Sequence, residues 1–222
     1  NNFIGTEHLL LGLLKCGEAV ELRVLDNLNI NLENIEEKVF KEISTGIIGK
    51  DQYSLRIKSD PENEILFFNR GLMKLKSDGY SYEDVIKDFS KAISLNKDFL
   101  NSFYYRGLAK FDLEDYQGAI DDLSKVVELN PKYEDAYISR GMAKINSEDY
   151  QGAINDLSKA IELDPKKENA YYYRAFAKNC INVNQGAIDD YSKAIELNAK
   201  YQDAYVNRGN LKLDLEDYKD AY

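Results

Sequence analysis

The amino-acid sequence predicts an all-α chain whose larger part is a solenoid of stacked helix pairs, an α–α superhelix. Three observations predict it. The segment from Tyr116 to Pro131 returns barely changed from Tyr150 to Pro165, at an offset of 34 residues. It returns again from Gln185 to Asn198 and, more loosely, from Tyr82 to Asn96. A fixed period of this length marks a stacked-repeat architecture, in which each unit buries its apolar face against its neighbours. The second observation is that each period holds two helical patterns with turn residues between them. The third is a dipeptide frame: Arg106-Gly107, Arg140-Gly141, Arg174-Ala175 and Arg208-Gly209 stand 34 apart.

Before the repeats, residues 1–44 do not fit the period. Thr6 is placed to cap a first helix with Glu7 in its opening turn. Glu18 to Leu28 and Leu32 to Ile43 read as two more helices. Residues 45–60 are expected to be linker, and Asp60-Pro61-Glu62 to restart helix, with Asp60 as cap and Pro61 in the first turn. The array over 61–222 divides into repeats at 64–99, 100–133, 134–167 and 168–201, with a partial repeat at 202–222. Arg70 precedes Arg106 by 36, which puts two extra residues in the first repeat, within 77–81.

Within the third repeat, Ala136, Tyr137, Gly141 and Ala143 recur at helical intervals in the first helix. Ala153, Ile154, Leu157, Ala160 and Ile161 form one stripe on the second. Residues 147–149 turn between helices and Asp164-Pro165 between repeats. Gly141, Ala153 and Ala160 are small because two helices cross closely there.

These positions resemble the tetratricopeptide repeat family. Tyr137, Gly141, Ala153, Leu157, Ala160 and Pro165 match its pattern in register, and the match covers about residues 62–222. Lys97 and Ala199 depart from it by replacing proline, and residues 182–184 replace the turn found as Glu148-Asp149-Tyr150. Residues 1–44 resemble part of the amino-terminal repeat of Clp-type chaperone ATPases. The run Ile-Gly-Thr-Glu-His-Leu-Leu-Leu-Gly-Leu-Leu from Ile4 to Leu14 carries that resemblance, and Val20, Val24, Leu25, Leu28 and Leu32 continue it. Only three helices of one copy are present, so the module is partial.

Composition bounds the partners. With 39 acidic and 29 basic residues the net charge is −10, which argues against nucleic acid or an anionic membrane. No apolar run approaches the ~20 residues that span a bilayer. Cys16 and Cys180 form no metal or redox spacing and fit a reducing compartment, cytoplasm or plastid stroma. The chain starts without methionine and ends inside a repeat, so both ends look cut. His8 is the only histidine and has no partner for metal or nucleophilic chemistry. Gly46 to Lys50 fails the phosphate-loop spacing. No catalytic residue, metal site or cofactor is expected, and the chain is expected not to be an enzyme.

One periodic feature is charged. Arg70, Arg106, Arg140, Arg174 and Arg208 are each followed four residues on by lysine, on the same helical face. Asp88, Asp122, Asp156 and Asp190 recur equally well in the second helices. A structural ladder pairing Arg70, Arg106, Arg140 and Arg174 with these aspartates is expected, on the side away from the groove.

By the resemblance, the first helices line a concave groove that takes a protein or peptide ligand. Carried over position by position, its residues are Phe68 and Leu72; Asn101, Tyr104, Leu108 and Phe111; Asp135, Ile138, Met142 and Ile145; Asn169, Tyr172, Phe176 and Asn179; and Val206 and Asn210. About half are expected to be ordinary packing contacts. No basic residue other than Lys76 at the rim faces this groove, so the family's clamp for acidic peptide tails is missing. An apolar or mildly basic segment fits better. The expected function is a protein-binding adaptor, linked through the Clp-like module to Clp chaperone or protease subunits. The alternatives are a scaffold or assembly factor unrelated to proteolysis, and the interaction region of a larger enzyme. The oligomeric state is left open.

Overall fold

The computed structural model of the chain describes residues 50–77 and 79–215. The Clp-like module with Thr6, His8 and Cys16, the glycines at 46 and 49, and residues 216–222 of the partial repeat lie outside them. Ten helices and no strand make up the described residues. The chain divides into two compact units, 1–97 and 98–222.

In the first unit, helix α1 spans Lys50–Ser59, α2 Glu64–Leu75 and α3 Tyr82–Leu95. Residues 50–59, expected as linker, are helix because nothing in them breaks one before Asp60-Pro61. α1 packs on α2, and its Tyr53 is buried. The cap of α2 is also not the expected Asp60. Pro61 and Glu62 are used up in a turn, and Asn63 caps the helix, its side-chain oxygen accepting from the Ile65 amide at 3.2 Å. Asp60 instead accepts from the Asn63 side-chain amide at 3.0 Å and holds the cap in place. The two extra residues fall in the α2–α3 turn, where Gly79 takes φ of 94°, a conformation open chiefly to glycine. Ser81 then caps α3.

The second unit repeats one hairpin. Its first helices are α4 (Leu100–Asp112), α6 (Glu134–Asn146), α8 (Glu168–Cys180) and α10 (Gln202–Asp214). The second helices are α5 (Tyr116–Leu129), α7 (Tyr150–Leu163) and α9 (Asn184–Leu197). The first helices α4, α6 and α8 each pair with the second helix that follows, and each second helix packs on the next first helix. α4 touches α6 and α6 touches α8, so the first helices form a common face.

Two turn types space these helices. After α4 and α6, Glu114 and Glu148 turn left-handed, at φ 61° and 64°. The next amide reaches back five residues, Asp115 to the Lys110 carbonyl and Asp149 to that of Lys144, closing a Schellman motif. The same Asp115 and Asp149 cap the following helix by accepting from the Gly118 and Gly152 amides at 3.0 and 2.9 Å. At Gly118 and Gly152 the capping carboxylate lies where a methyl would otherwise stand, so a larger residue there would make the aspartate shift. Between repeats, Asn130, Asp164 and Asn198 accept through their side chains from the amides of Lys132, Lys166 and Lys200. This Asx turn forms equally at Ala199, where the family pattern has proline.

The seam inside each hairpin is small against large. A methyl on Gly141 would come within 2.9 Å of Leu157 Cγ, and one on Gly107 within 3.0 Å of Leu123 Cγ. Ala153 and Ala160 are fully buried on the facing helix. In the next repeat the pair becomes Ala175 and Tyr191, both fully buried.

Candidate binding face and ion-pair ladder

The positions expected to face a groove in the second unit lie on α4, α6, α8 and α10. Tyr104, Leu108, Phe111, Met142, Ile145 and Tyr172 are half-buried, while Phe176 and Val206 are 37% and 58% exposed. Asn101, Asp135, Asn169 and Asn179 are half-buried and Asn210 is exposed. Ile138 is not on the accessible face: it is buried against Ala153, Leu157 and Ala170 in the core. In the first unit Phe68 and Leu72, only 6% and 2% exposed, are likewise core residues. The Phe68 ring sits 5.8 Å from that of Phe89. These three positions pack because their helix stripe is shared with the neighbouring second helix.

A cavity of about 200 Å³ opens between α6 and α8, lined by Met142, Ile145, Asn146, Tyr172, Tyr173 and Phe176. Tyr172 is held on three sides. Its ring stacks on Tyr201 at 4.8 Å and meets Tyr173 edge-on at 5.2 Å, and its hydroxyl accepts from the Asn207 amide at 3.1 Å. Burial, followed by the negative charge of Asp203, pushes the Tyr172 and Tyr173 phenols above their ordinary range. Tyr173 escapes a reading by repeat position, because the equivalent residues are Tyr105, Ser139 and Asn207 and follow no pattern.

The charged residues assemble away from that cavity. Asp156, 5% exposed, accepts from Arg140 Nε at 2.8 Å and Nη2 at 2.6 Å. Lys144 Nζ reaches the same carboxylate at 2.8 Å. Arg106 and Lys110 hold Asp122 in the same way, and Arg174 and Lys178 hold Asp190. In the first unit Arg70 and Lys74 hold Asp88. Each buried carboxylate therefore has two cations, where sequence spacing alone assigns it one. The arginines also reach backward. Nη1 of Arg140, Arg174 and Arg208 donates to Ser124, Ser158 and Ser192 of the preceding repeat at 3.0–3.1 Å. The guanidinium lies over the aromatic ring three residues before it, 5.6 Å from Tyr137 for Arg140. The serine is missing from a reading by family pattern, and only its own 34-residue recurrence signals it.

Among the described residues no group of His, Cys, Asp and Glu could hold a metal ion, and no helix is long and apolar enough to cross a membrane.

A stack of antiparallel helix pairs, joined by tight turns and presenting one face of first helices, defines a helical-repeat interaction scaffold. Comparison with known proteins gives the class its name. A profile described as a tetratricopeptide repeat matches residues 100–133, and one described as a TPR repeat matches 143–178. The crystal structure of MamA superposes with a TM-score of 0.67 at 25% identity, covering 73% of this chain and 95% of that one. YrrB, described as a TPR protein with an unusual peptide-binding site, superposes at 0.66 with 18% identity, covering 78% and 88%. The array is made of tetratricopeptide repeats.

A short stretch of the chain is also similar to Clp subunits. Over 45 residues the chain is 44% identical to a probable ATP-dependent Clp protease ATP-binding subunit of Chlamydia pneumoniae. That is 20% of this chain and 5% of the Clp subunit, so the chain spans only a small fraction of such relatives.

Proposed function

We propose that the chain is a non-enzymatic adaptor that binds a segment of a partner protein along the first-helix face of its repeats. The observation that carries this reading is the cavity between α6 and α8, whose wall is a row of accessible apolar side chains, Met142, Ile145 and the exposed Phe176. Apolar side chains left accessible in such a row cost solvation free energy unless a partner covers them. The residues proposed to line the face are Asn101, Tyr104, Leu108, Phe111, Asp135, Met142, Ile145, Asn169, Tyr172, Phe176, Asn179, Val206 and Asn210. The ladder of Arg70, Arg106, Arg140 and Arg174 with Asp88, Asp122, Asp156 and Asp190 holds the helices in place and takes no part in binding.

A photo-crosslinking amino acid at position 176 or 206 tests this. Adducts with a common partner from both positions, absent when the label sits at Lys159 on a second helix, are the expected result. Equal labelling from all three positions overturns it.

The Clp-like stretch supports a finer reading, in which the array brings clients to a Clp chaperone–protease. Direct capture of purified Clp chaperone or protease subunits by the chain is expected. No capture at micromolar concentration leaves the adaptor reading standing without its Clp link.

A further inference from the structure

We infer that the first-helix face of the second unit takes an uncharged, proline-rich segment, laid across two tyrosine clusters that stand two repeats apart. This rests on the binding-face reading above and adds the class of segment and its register.

The tyrosines that follow no pattern from one repeat to the next follow one over two repeats. Positions 103–105 read Phe-Tyr-Tyr and 171–173 Tyr-Tyr-Tyr, whereas 137–139 and 205–207 read Tyr-Ile-Ser and Tyr-Val-Asn. Positions 133 and 201 are tyrosine, and the equivalent place between them is Lys167. The geometry repeats with the sequence. Tyr104 meets Tyr105 edge-on at 5.4 Å and lies 5.0 Å from Tyr133. Tyr172 meets Tyr173 edge-on at 5.2 Å and stacks on Tyr201 at 4.8 Å. All six residues are half-buried, so each cluster keeps part of its surface in solvent. Tyr172 and Tyr173 also wall the cavity between α6 and α8. The intervening repeat breaks the pattern, with Ile138 buried in the core. Hairpin packing does not impose this double rhythm, because the ion-pair ladder keeps the single one.

Spacing gives the form of the segment. α4 touches α6 and α6 touches α8. Packed helices lie about 8–10 Å apart, which puts the two clusters about 18 Å apart. A polyproline II helix has three residues per turn and rises about 3.1 Å per residue, so residues six apart point the same way about 19 Å apart. Grooves lined by aromatic rings are where such helices dock. A β-strand of this length would bring a row of amides for which a face of helix side chains offers no ladder. Proline brings no amide.

Charge gives the composition. The clusters have no charged member, and three residues before Tyr104 and Tyr172 stand the neutral Asn101 and Asn169. The equivalent residue of the middle repeat is Asp135, and Lys167 already holds it at 2.8 Å. The same lysine lies 3.5 Å from Glu134. A charged segment therefore meets no opposite charge at either cluster and loses hydration there.

NMR titration of the full chain, labelled in its tyrosine rings, with end-blocked pentaproline and nonaproline tests the inference. Nonaproline is long enough to bridge the clusters and pentaproline is not. Nonaproline is expected to bind about tenfold tighter and to shift the rings of both clusters. A Gly/Ser peptide of nine residues is expected not to bind. Tyr104→Ala with Tyr105→Ala should lower nonaproline to the affinity of pentaproline, with the shifts at Tyr172 and Tyr173 retained. The length dependence of the unaltered chain decides alone if that variant does not fold. An affinity that climbs evenly with length, a step that survives the double variant, or equal binding of the Gly/Ser peptide overturns the inference. Absence of any shift at millimolar concentration also overturns it, and the crosslinks from position 176 then decide separately whether the binding face stands.

Discussion

Val183 occupies the place held by Asp115 and Asp149 in the two preceding repeats, and it has no side-chain oxygen to offer the start of α9. The position is exposed, so nothing in the packing demands valine. Val183→Asp is expected to restore the cap and raise stability by about 1 kcal/mol, read as a rise in the thermal midpoint. The residue just before it is better suited than its counterparts. Asn182 tolerates the left-handed backbone at φ 59°, which Glu114 and Glu148 adopt against their preference. A second residue carries its own penalty. Tyr191 fills the place of Leu123 and Leu157, and its hydroxyl is buried without a hydrogen-bond partner among the described residues. The Asn207 amide donates to the neighbouring Tyr172, and its effect on the Tyr191 phenol is smaller than that of burial. Tyr191→Phe is expected to stabilise the protein by about 1 kcal/mol, measured by urea unfolding, and a loss of stability would reveal a hidden partner for the hydroxyl.

At the scale of helix pairs, the ladder makes a sharper claim. Arg140→Leu leaves the buried Asp156 with Lys144 alone and opens the link from Arg140 to Ser124. Removing one partner of a buried pair is expected to cost about 3 kcal/mol. Replacing Arg140, Lys144 and Asp156 together by leucine should recover most of that loss, because no charge is then stranded. Chemical denaturation of the single and triple variants compares the two, and an unchanged midpoint for Arg140→Leu would place the pair in solvent. The helix pairs themselves were legible in the sequence. Alternation of Gly107 or Gly141 with Leu123 or Leu157 at a fixed offset specifies both the crossing and its closeness. Helix α1 was not, because residues 50–59 lack an amphipathic stripe and only the absence of a breaker betrays them. Of the groove positions, Tyr172, Phe176, Met142 and Ile145 gather at the cavity, whereas Phe68, Leu72 and Ile138 turn into the core. Period alone cannot separate the two fates, since the deciding factor is which neighbouring helix crowds each side chain.

For the molecule taken whole, the wealth of tyrosine predicts an alkaline weakness. Burial is the largest cause raising the phenols of Tyr172, Tyr173, Tyr191 and Tyr201 above their ordinary 10.0. Below pH 10 folded and unfolded chains both keep these protons, and stability is unaffected by them. Above it the unfolded chain releases protons that the fold retains, so stability falls, by at most about 1.4 kcal/mol per pH unit for each tyrosine. Urea midpoints followed from about pH 8 to about pH 11 should drop only beyond 10, and less steeply in a Tyr191→Phe, Tyr201→Phe double variant. The backward reach of Arg140, Arg174 and Arg208 to a serine in the preceding repeat has a consequence for ancestry. Every junction in this part of the array presents the same donor and the same acceptor. A repeat duplicated, deleted or shuffled by recombination would meet a compatible neighbour on either side, and the array could change its length without any new contact having to evolve.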